Sequence, residues 1–328
     1  MFKSLIKLFA GLLIKFADTL AIFLFGRHTE EPPPELVEEF NKTFEQIPQK
    51  ETTHCAPSEK EWHENMNRLR ELALTGDPAK FLRWDVVKKT MFVTNNPYVI
   101  IEFNHLRKKN DWQLRRRKAL KESKTGCPVP FLFYPGSSGN LIHHAYHVCR
   151  FEEKTGITVD KEDFIFEFGG GYGSMCRLLH NLGFKGKYLI FDLPPFSALQ
   201  QFYLKSLDIT VHASAAEFVR ADSGVLCCSE IEELKAILKQ CPGRSNSLFI
   251  ATWSLSETPA EIRDQILPLV DGFESFLIAF QDRFGGIDNK TFFEEWKKIF
   301  GDRIEWKTWN IKHLHGNHYL VGTEDVKA

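Results

Sequence analysis

The sequence predicts an α/β fold: a mostly parallel sheet preceded by a helical cap and an apolar N-terminal helix. Three observations carry this. Phe164-Ile-Phe-Glu-Phe168 is a short apolar run enclosing one carboxylate. A glycine cluster follows it, and then Met175, Leu178, Leu179 and Leu182 recur at helical spacing, which reads as buried strand, tight turn, helix. A second strand pattern, Lys187 to Phe191, ends in Asp192, about 20 residues beyond the turn, where a nucleotide-binding sheet sets a carboxylate against ribose hydroxyls. Strand and helix patterns then alternate to the end of the chain.

At 328 residues, 43% hydrophobic and with a net charge of −1, the chain has room for one large domain and an appendage, and no nucleic-acid partner is expected. Its seven cysteines form neither a C-x-x-C pair nor a disulfide framework, which points to a reducing, cytoplasmic compartment.

Residues 1–26 are unusually apolar. On a helical wheel Lys3, Ser4, Lys7, Gly11, Lys15, Asp18 and Thr19 share one stripe, while Phe2, Leu5, Ile6, Phe9, Leu13, Phe16, Leu20 and Phe23 cover the rest. The Leu, Ile and Phe side chains, at about −0.5 kcal/mol each, are offset for spanning by Lys7, Lys15 and Asp18 at up to about +3 kcal/mol each. Peripheral docking in the membrane plane is therefore expected, with a single-pass anchor as the alternative and packing on protein as the competing reading. Residues 27–58, headed by Glu30-Glu31-Pro32-Pro33-Pro34, read as a semi-rigid linker with a short helix near Glu35 to Phe44.

Residues 59–150 read as a helical cap that shapes an acceptor region, with apolar positions such as Leu69, Leu72, Leu74, Trp84, Val87, Met91 and Phe92. Within it, Arg107, Lys108, Lys109, Arg115, Arg116, Arg117 and Lys118 form a basic run, by default a solvated helix face. Pro135 to Gly139 reads as a turn, and the following helix sets His143 and His147 on one face. No third metal ligand accompanies them, so no metal is expected.

The glycine cluster decides the ligand. A dinucleotide fingerprint wants G-x-G-x-x-G, but Ser174 or Cys176 stands where the last glycine belongs. Read as acid-x-G-x-G-x-G, Glu167 to Gly173 resembles the first motif of class I S-adenosylmethionine-dependent methyltransferases. The resemblance implies a Rossmann-like methyltransferase sheet over residues 151–328, mostly parallel with its last strand antiparallel. It also implies S-adenosyl-L-methionine as cofactor, held by Glu167, Gly169, Gly170, Gly171, Gly173 and Asp192. For Asp192 the competing reading is a helix cap before Pro194.

The third strand is either Ile209 to His212 or Val225 to Cys228, and Ser229 and Glu230 are the adenine candidates that follow the latter. Ser247 to Thr252 is a buried strand, and ligands of open α/β sheets bind at carboxyl ends of strands, so Thr252, Trp253 and Ser254 should face the methyl-transfer site. Ser256 and Thr258 are candidate helix caps. A fifth strand at Ser275 to Phe280, a helix at Thr291 to Phe300 and strands near Ile304 to Ile311 and His318 to Val321 complete the order.

Four stretches together, Ser138 to His147, Glu167 to Gly173, Phe191-Asp-Leu-Pro and Thr252-Trp-Ser-Leu-Ser-Glu, are similar to the sugar O-methyltransferase family. That implies a hydroxyl of a sugar or glycan-type acceptor, with His147, His144 and Asp282, in falling order, as candidates for the base that takes its proton. Two other classes compete: a nucleotide-cofactor oxidoreductase on a similar sheet and a non-catalytic membrane-associated binding module.

Overall fold

The computed structural model describes residues 2–26, 29–51, 57–241 and 245–324. The side chains of residues 2–8, with Lys3, Ser4 and Lys7 of the polar stripe, lie outside the described residues, as do residues 27, 28 and 52–56 of the expected linker and 325–328. The chain folds as two compact units that no single cut separates. One comprises Met1–Tyr146, Gly171–Leu182 and Ala198–Asp208; the other comprises His147–Gly170, Gly183–Ser197 and Ile209–Ala328.

The first unit begins with helix α1 (Phe2–Phe25) and helix α2 (Pro34–Gln46). Proline at the first turn suits α2, because the missing N–H has no intrahelical partner there. Its Leu36, Phe40 and Phe44 recur every four residues on one buried stripe. Helices α3 (Pro57–Thr75), α4 (Asp85–Thr90) and α5 (Pro97–Arg107) follow. The basic run is not one regular helix: Trp112–Arg116 is a π-helical turn leading into α6 (Arg117–Ala119). Pro135 to Ser138, expected as a turn, lies in strand β2 (Tyr134–Ser138), which pairs antiparallel with β1 (Pro130–Phe131). Burial of Ser137 and Ser138 overrides the turn propensity of the local sequence. Helix α7 (Gly139–Thr155) leads into the other unit, and α8 (Ser174–Asn181) and most of α9 (Pro194–Lys205) return to this one.

Rings knit this unit together. Phe40 of α2 lies 4.5 Å from Phe202 of α9, and Phe81, Tyr172 and Tyr203 meet edge to face. The buried Arg177 pairs with Glu122, donates to Lys121 O at 2.7 Å and reaches the Tyr203 hydroxyl at 3.3 Å. Its charge is thus both paired and hydrogen-bonded, the condition for burial. Among the described residues no helix is long and apolar enough to cross a membrane.

The second unit is built on a seven-stranded sheet: β3 (Phe164–Phe168), β4 (Lys187–Phe191), β5 (Gly224–Cys228), β6 (Ser247–Thr252) and β7 (Ser275–Gln281), then, beyond the small hairpin β8 (Arg283–Phe284) and β9 (Ile287–Asp288), β10 (Ile304–Asn310) and β11 (Asn317–Glu324). Counted along the chain, these lie side by side as third, second, first, fourth, fifth, seventh and sixth. The first five are parallel; β11 runs antiparallel to both β7 and β10. The expected fold class, mostly parallel with the last strand reversed, is the one observed.

Of the two third-strand candidates the sheet uses Val225 to Cys228. Residues Thr210 and His212 each make one main-chain bond to Val225, but Ser214 then caps α10 (Ala215–Arg220) by accepting from the Glu217 N–H, so the edge pairing stops after one bridge. Helices α11 (Ile231–Gln240), α12 (Ala260–Ile266) and α13 (Asn289–Lys297) complete the unit. Phe164, Phe166 and Phe168 alternate along β3 onto one face, where Phe249, Phe273, Phe276 and Trp296 gather in a largely aromatic core.

Phe166 is fully buried, with Phe249 and Phe273 at 5.3 and 6.2 Å. Phe166→Ala should lower unfolding free energy by about 3–5 kcal/mol, read as a reduced denaturant midpoint at unchanged slope.

Candidate active site at the carboxyl edge of the sheet

From β3 the chain steps to β4 and β5 on one side, then crosses to β6 and β7 on the other. The carboxyl ends of β3 and β6 therefore diverge at a topological switch point, where open α/β sheets hold their ligands. Within the second unit this edge carries Glu167, Gly169, Gly170, Asp192, Thr252 and Trp253, with Ser229 just past β5.

The turn after β3 is fixed by main-chain bonds. Gly169 N donates to Phe191 O at 2.8 Å, which sets Asp192 one residue from the turn, and Asp192 N donates to Cys228 O at 3.1 Å. Asp192 is half-buried, and its Oδ1 accepts from Leu193 N at 2.8 Å, a bond to the next residue ahead of α9 and not to an N–H of its first turn. Gly169 has φ +76°, and a Cβ there would lie 2.2 Å from the Ser254 Cβ. Ser254 in turn donates its hydroxyl to Phe168 O. Glycine at 169 is thus required by the chain's own β6 loop. In the first unit Gly171 and Gly173 also take positive φ, +59° and +93°; Gly173 caps α8, and the Gly171 carbonyl accepts from Gln200.

Glu167 lies on the face of β3 opposite Phe166 and Phe168, buried, with its Oε2 accepting from the Tyr188 hydroxyl at 2.9 Å. Burial pushes its carboxyl up to about 8, the Tyr188 bond opposing and the Asp192 charge adding. Burial thus favours its protonated form, which can donate a hydrogen bond. Glu162, buried before β3, is likewise pushed up to about 7 by burial, against a bond from Ser275.

The end of β6 is strained. Trp253 has φ +65° and ψ −37°, a region bulky side chains rarely enter and one that costs about 1–3 kcal/mol. Its main chain donates to Ala279 O at 2.7 Å and accepts from Ser256 Oγ at 2.7 Å, while its indole N–H donates to Asn317 Oδ1 at 2.7 Å. The His147 ring stands 5.1 Å from the Trp253 ring, and His147 Nδ1 is hydrogen-bonded to the Tyr319 hydroxyl. Below the loop the fully buried Arg263 reaches Thr258 O at 2.7 Å, Ser256 O at 2.8 Å and Asn289 Oδ1 at 2.8 Å, and its guanidinium lies 4.7 Å from the Phe292 ring centre. Those acceptors are neutral, and burial pushes Arg263 down to about 10.

The three base candidates separate. Asp282, just past β7, takes hydrogen bonds from His318 at 2.5 Å and Lys290 at 3.1 Å, which hold its carboxyl below the usual range and make it a poor proton acceptor. His144, in the first unit, is pushed down to about 3 by burial and by His143, which likewise weakens it as a base. His143 is spoken for by the buried Glu102 at 2.9 Å. His147 has a ring nitrogen oriented by Tyr319 and stands beside Trp253.

Sequence reasoning missed Tyr188, Asn317, Tyr319 and Arg263. Tyr188 sits one position inside a recognised strand and offered alternation as a signal. Asn317 and Tyr319 reach Trp253 and His147 from a strand remote in the chain, and Arg263 reads as an ordinary exposed helix cation.

Between about pH 4.5 and 8 the folded chain keeps protons on Glu162 and Glu167 that the unfolded chain has released. That part of the stability is complete at the acid end and is lost as pH rises through 7 to 8. Glu167→Gln should flatten the upper part of this fall, measured as denaturant midpoint against pH.

No protein-family model and no curated protein matches the chain. Among solved structures it is similar to mitomycin 7-O-methyltransferase, with 11% identity, 82% of this chain and 69% of the other covered and a TM-score of 0.39. Magnesium protoporphyrin IX methyltransferase from Synechocystis, solved with S-adenosylmethionine bound, has 10% identity, 70% and 93% coverage and a TM-score of 0.38. Precorrin-6y methyltransferase from Geobacter metallireducens has 14% identity, 55% and 86% coverage and a TM-score of 0.35. None of these likenesses is close enough to assign a family; the α/β sheet, mostly parallel with a reversed last strand, stands on its own strand pairing.

Proposed function

We propose that this protein is an S-adenosylmethionine-dependent methyltransferase acting on a hydroxyl of a sugar or glycan-type acceptor. The observation that carries the donor is the bond from Gly169 to Phe191, which joins the glycine turn to the strand ending in Asp192 at the switch point. The residues fit that cofactor: a half-exposed carboxylate suits a ribose diol, and Gly170, next in the turn, presents no side chain. When bound, S-adenosylmethionine supplies an activated methyl group. Asp192 holds the ribose hydroxyls, Thr252 and Trp253 wall the transfer site, and the strained Trp253 backbone fixes the indole in place before any ligand arrives.

The acceptor hydroxyl must lose a proton, and His147 is assigned to take it at Nε2. For that lone pair to be available, Nδ1 must carry the ring proton and donate it to the Tyr319 hydroxyl, which can accept it. His147 is fully buried, so the acceptor reaches Nε2 only in a complex that uncovers this ring. The sugar-type acceptor rests on the four-stretch resemblance.

Asp192→Ala should weaken S-adenosylmethionine binding by about ten- to a hundredfold by calorimetry, as expected for loss of hydrogen bonds to a charged group worth about 1.5–3 kcal/mol. Unchanged affinity, or uptake of a dinucleotide instead, overturns the donor. His147→Gln should lower kcat by about a hundredfold or more at unchanged donor affinity, with tritiated-methyl transfer to glycan acceptors as the assay. A mere positioning role would leave the pH profile of kcat in place.

A further inference from the structure

Helix α1 leaves a broad apolar face exposed, more than a helix that only packs on protein would. Asp18, from the polar stripe, points inward: its Oδ1 accepts from Asn95 N at 3.1 Å and Asn95 Nδ2 at 2.9 Å. Asn95 also bonds Pro130 O at 3.0 Å and Leu132 N at 2.7 Å, tying α1 to the β1–β2 hairpin. Ala21, three residues on from Asp18, is fully buried. The opposite face carries Phe9, Phe16 and Phe23, seven residues apart and therefore nearly in line, exposed by 64%, 68% and 65%. Leu12, Leu13 and Leu24 flank them, also exposed.

Of the thirteen large apolar side chains exposed among the described residues, seven are on α1, so this is a concentrated patch and not the usual scatter. Further exposed apolar side chains stand on the elements to which α1 is tied. Phe133, at the tip of the hairpin, packs beside Phe131, and Phe131 and Tyr134 meet Phe103 of α5 and, through Tyr134, Trp112, two residues before the exposed Leu114. Cations border the same elements: Arg107 lies over Phe103, and Lys108, Arg117 and Lys118 are exposed. Among the described residues none of these four is in an ion pair, unlike most exposed cations of α2 to α4.

We propose that α1 and the β1–β2 hairpin tip lie in the surface of a membrane containing anionic lipid, with the phenylalanine row among the acyl chains and the cations of the 107–118 stretch at the headgroups. Such a helix needs a large apolar face and neighbouring cations, and both are present. Lys15 and Thr19 edge the apolar row, and a lysine there keeps its ammonium at headgroup level while its stem lies along the row.

The test is flotation of the full chain with vesicles of phosphatidylcholine alone or with about a quarter phosphatidylserine, the anionic component to which basic residues respond. The intact chain should float with the anionic vesicles and less with neutral ones, more weakly as salt rises. Phe16→Asp, at an exposed position, should cut flotation by about tenfold or more with its thermal midpoint unchanged, and Lys108→Glu with Arg117→Glu should remove the preference for anionic vesicles. Equal flotation with both vesicle types, flotation unaffected by Phe16→Asp, or no flotation together with a Phe16-dependent dimer in light scattering overturns the proposal; the last would make the occupant a second copy.

Discussion

The carboxyl edge of the sheet depends on the closure of Ser254 onto Gly169. The Ser254 hydroxyl donates to Phe168 O, and the space it needs is the space a Cβ at 169 would fill. Through that contact the turn after the first strand and the loop after the fourth become one piece, although about eighty residues separate them. The bond from Gly169 to Phe191 extends the piece to Asp192. A substitution at 169 would therefore disturb the turn, the strand end at Asp192 and the β6 loop together.

The same loop holds the most strained backbone at this edge. Trp253 keeps a positive φ because its main chain and its indole each have a hydrogen-bond partner, and because Arg263 clamps the following turn from below. Burying a guanidinium against neutral oxygens is costly, and truncating it would leave several carbonyls unsatisfied. Strain, a buried charge and an indole beside a histidine converge within a few residues. Such concentration marks positions whose geometry matters more than their stability.

A different balance operates in the first unit. A helix normally turns its apolar face to the protein, but α1 turns Asp18 and Ala21 inward and Phe9, Phe16 and Phe23 outward. The amide of Asn95, with both its oxygen and its nitrogen bonded, makes the inward position of Asp18 favourable. The 27–58 stretch shows the opposite behaviour: α2 within it buries Phe40 and Phe44, so this part of a segment composed like a spacer is packed structure.

The sequence by itself determined the class of the sheet and most of its strands. Alternating strand and helix patterns, the glycine cluster after Phe168 and the acid at 192 are local signals, and local periodicity is enough to locate strands and helices, while the hand of the crossovers only narrows their order. It also gave Thr252 and Trp253 their place, since carboxyl ends of strands follow from chain direction. Only the tertiary structure decided which partners those residues meet. Asn317 and Tyr319 come from a strand more than sixty residues beyond Trp253, and no spacing in the chain encodes that they will reach it. Likewise a helical wheel sorts the residues of α1 into two faces, but which face looks outward is set by one carboxylate finding Asn95, seventy-seven residues away.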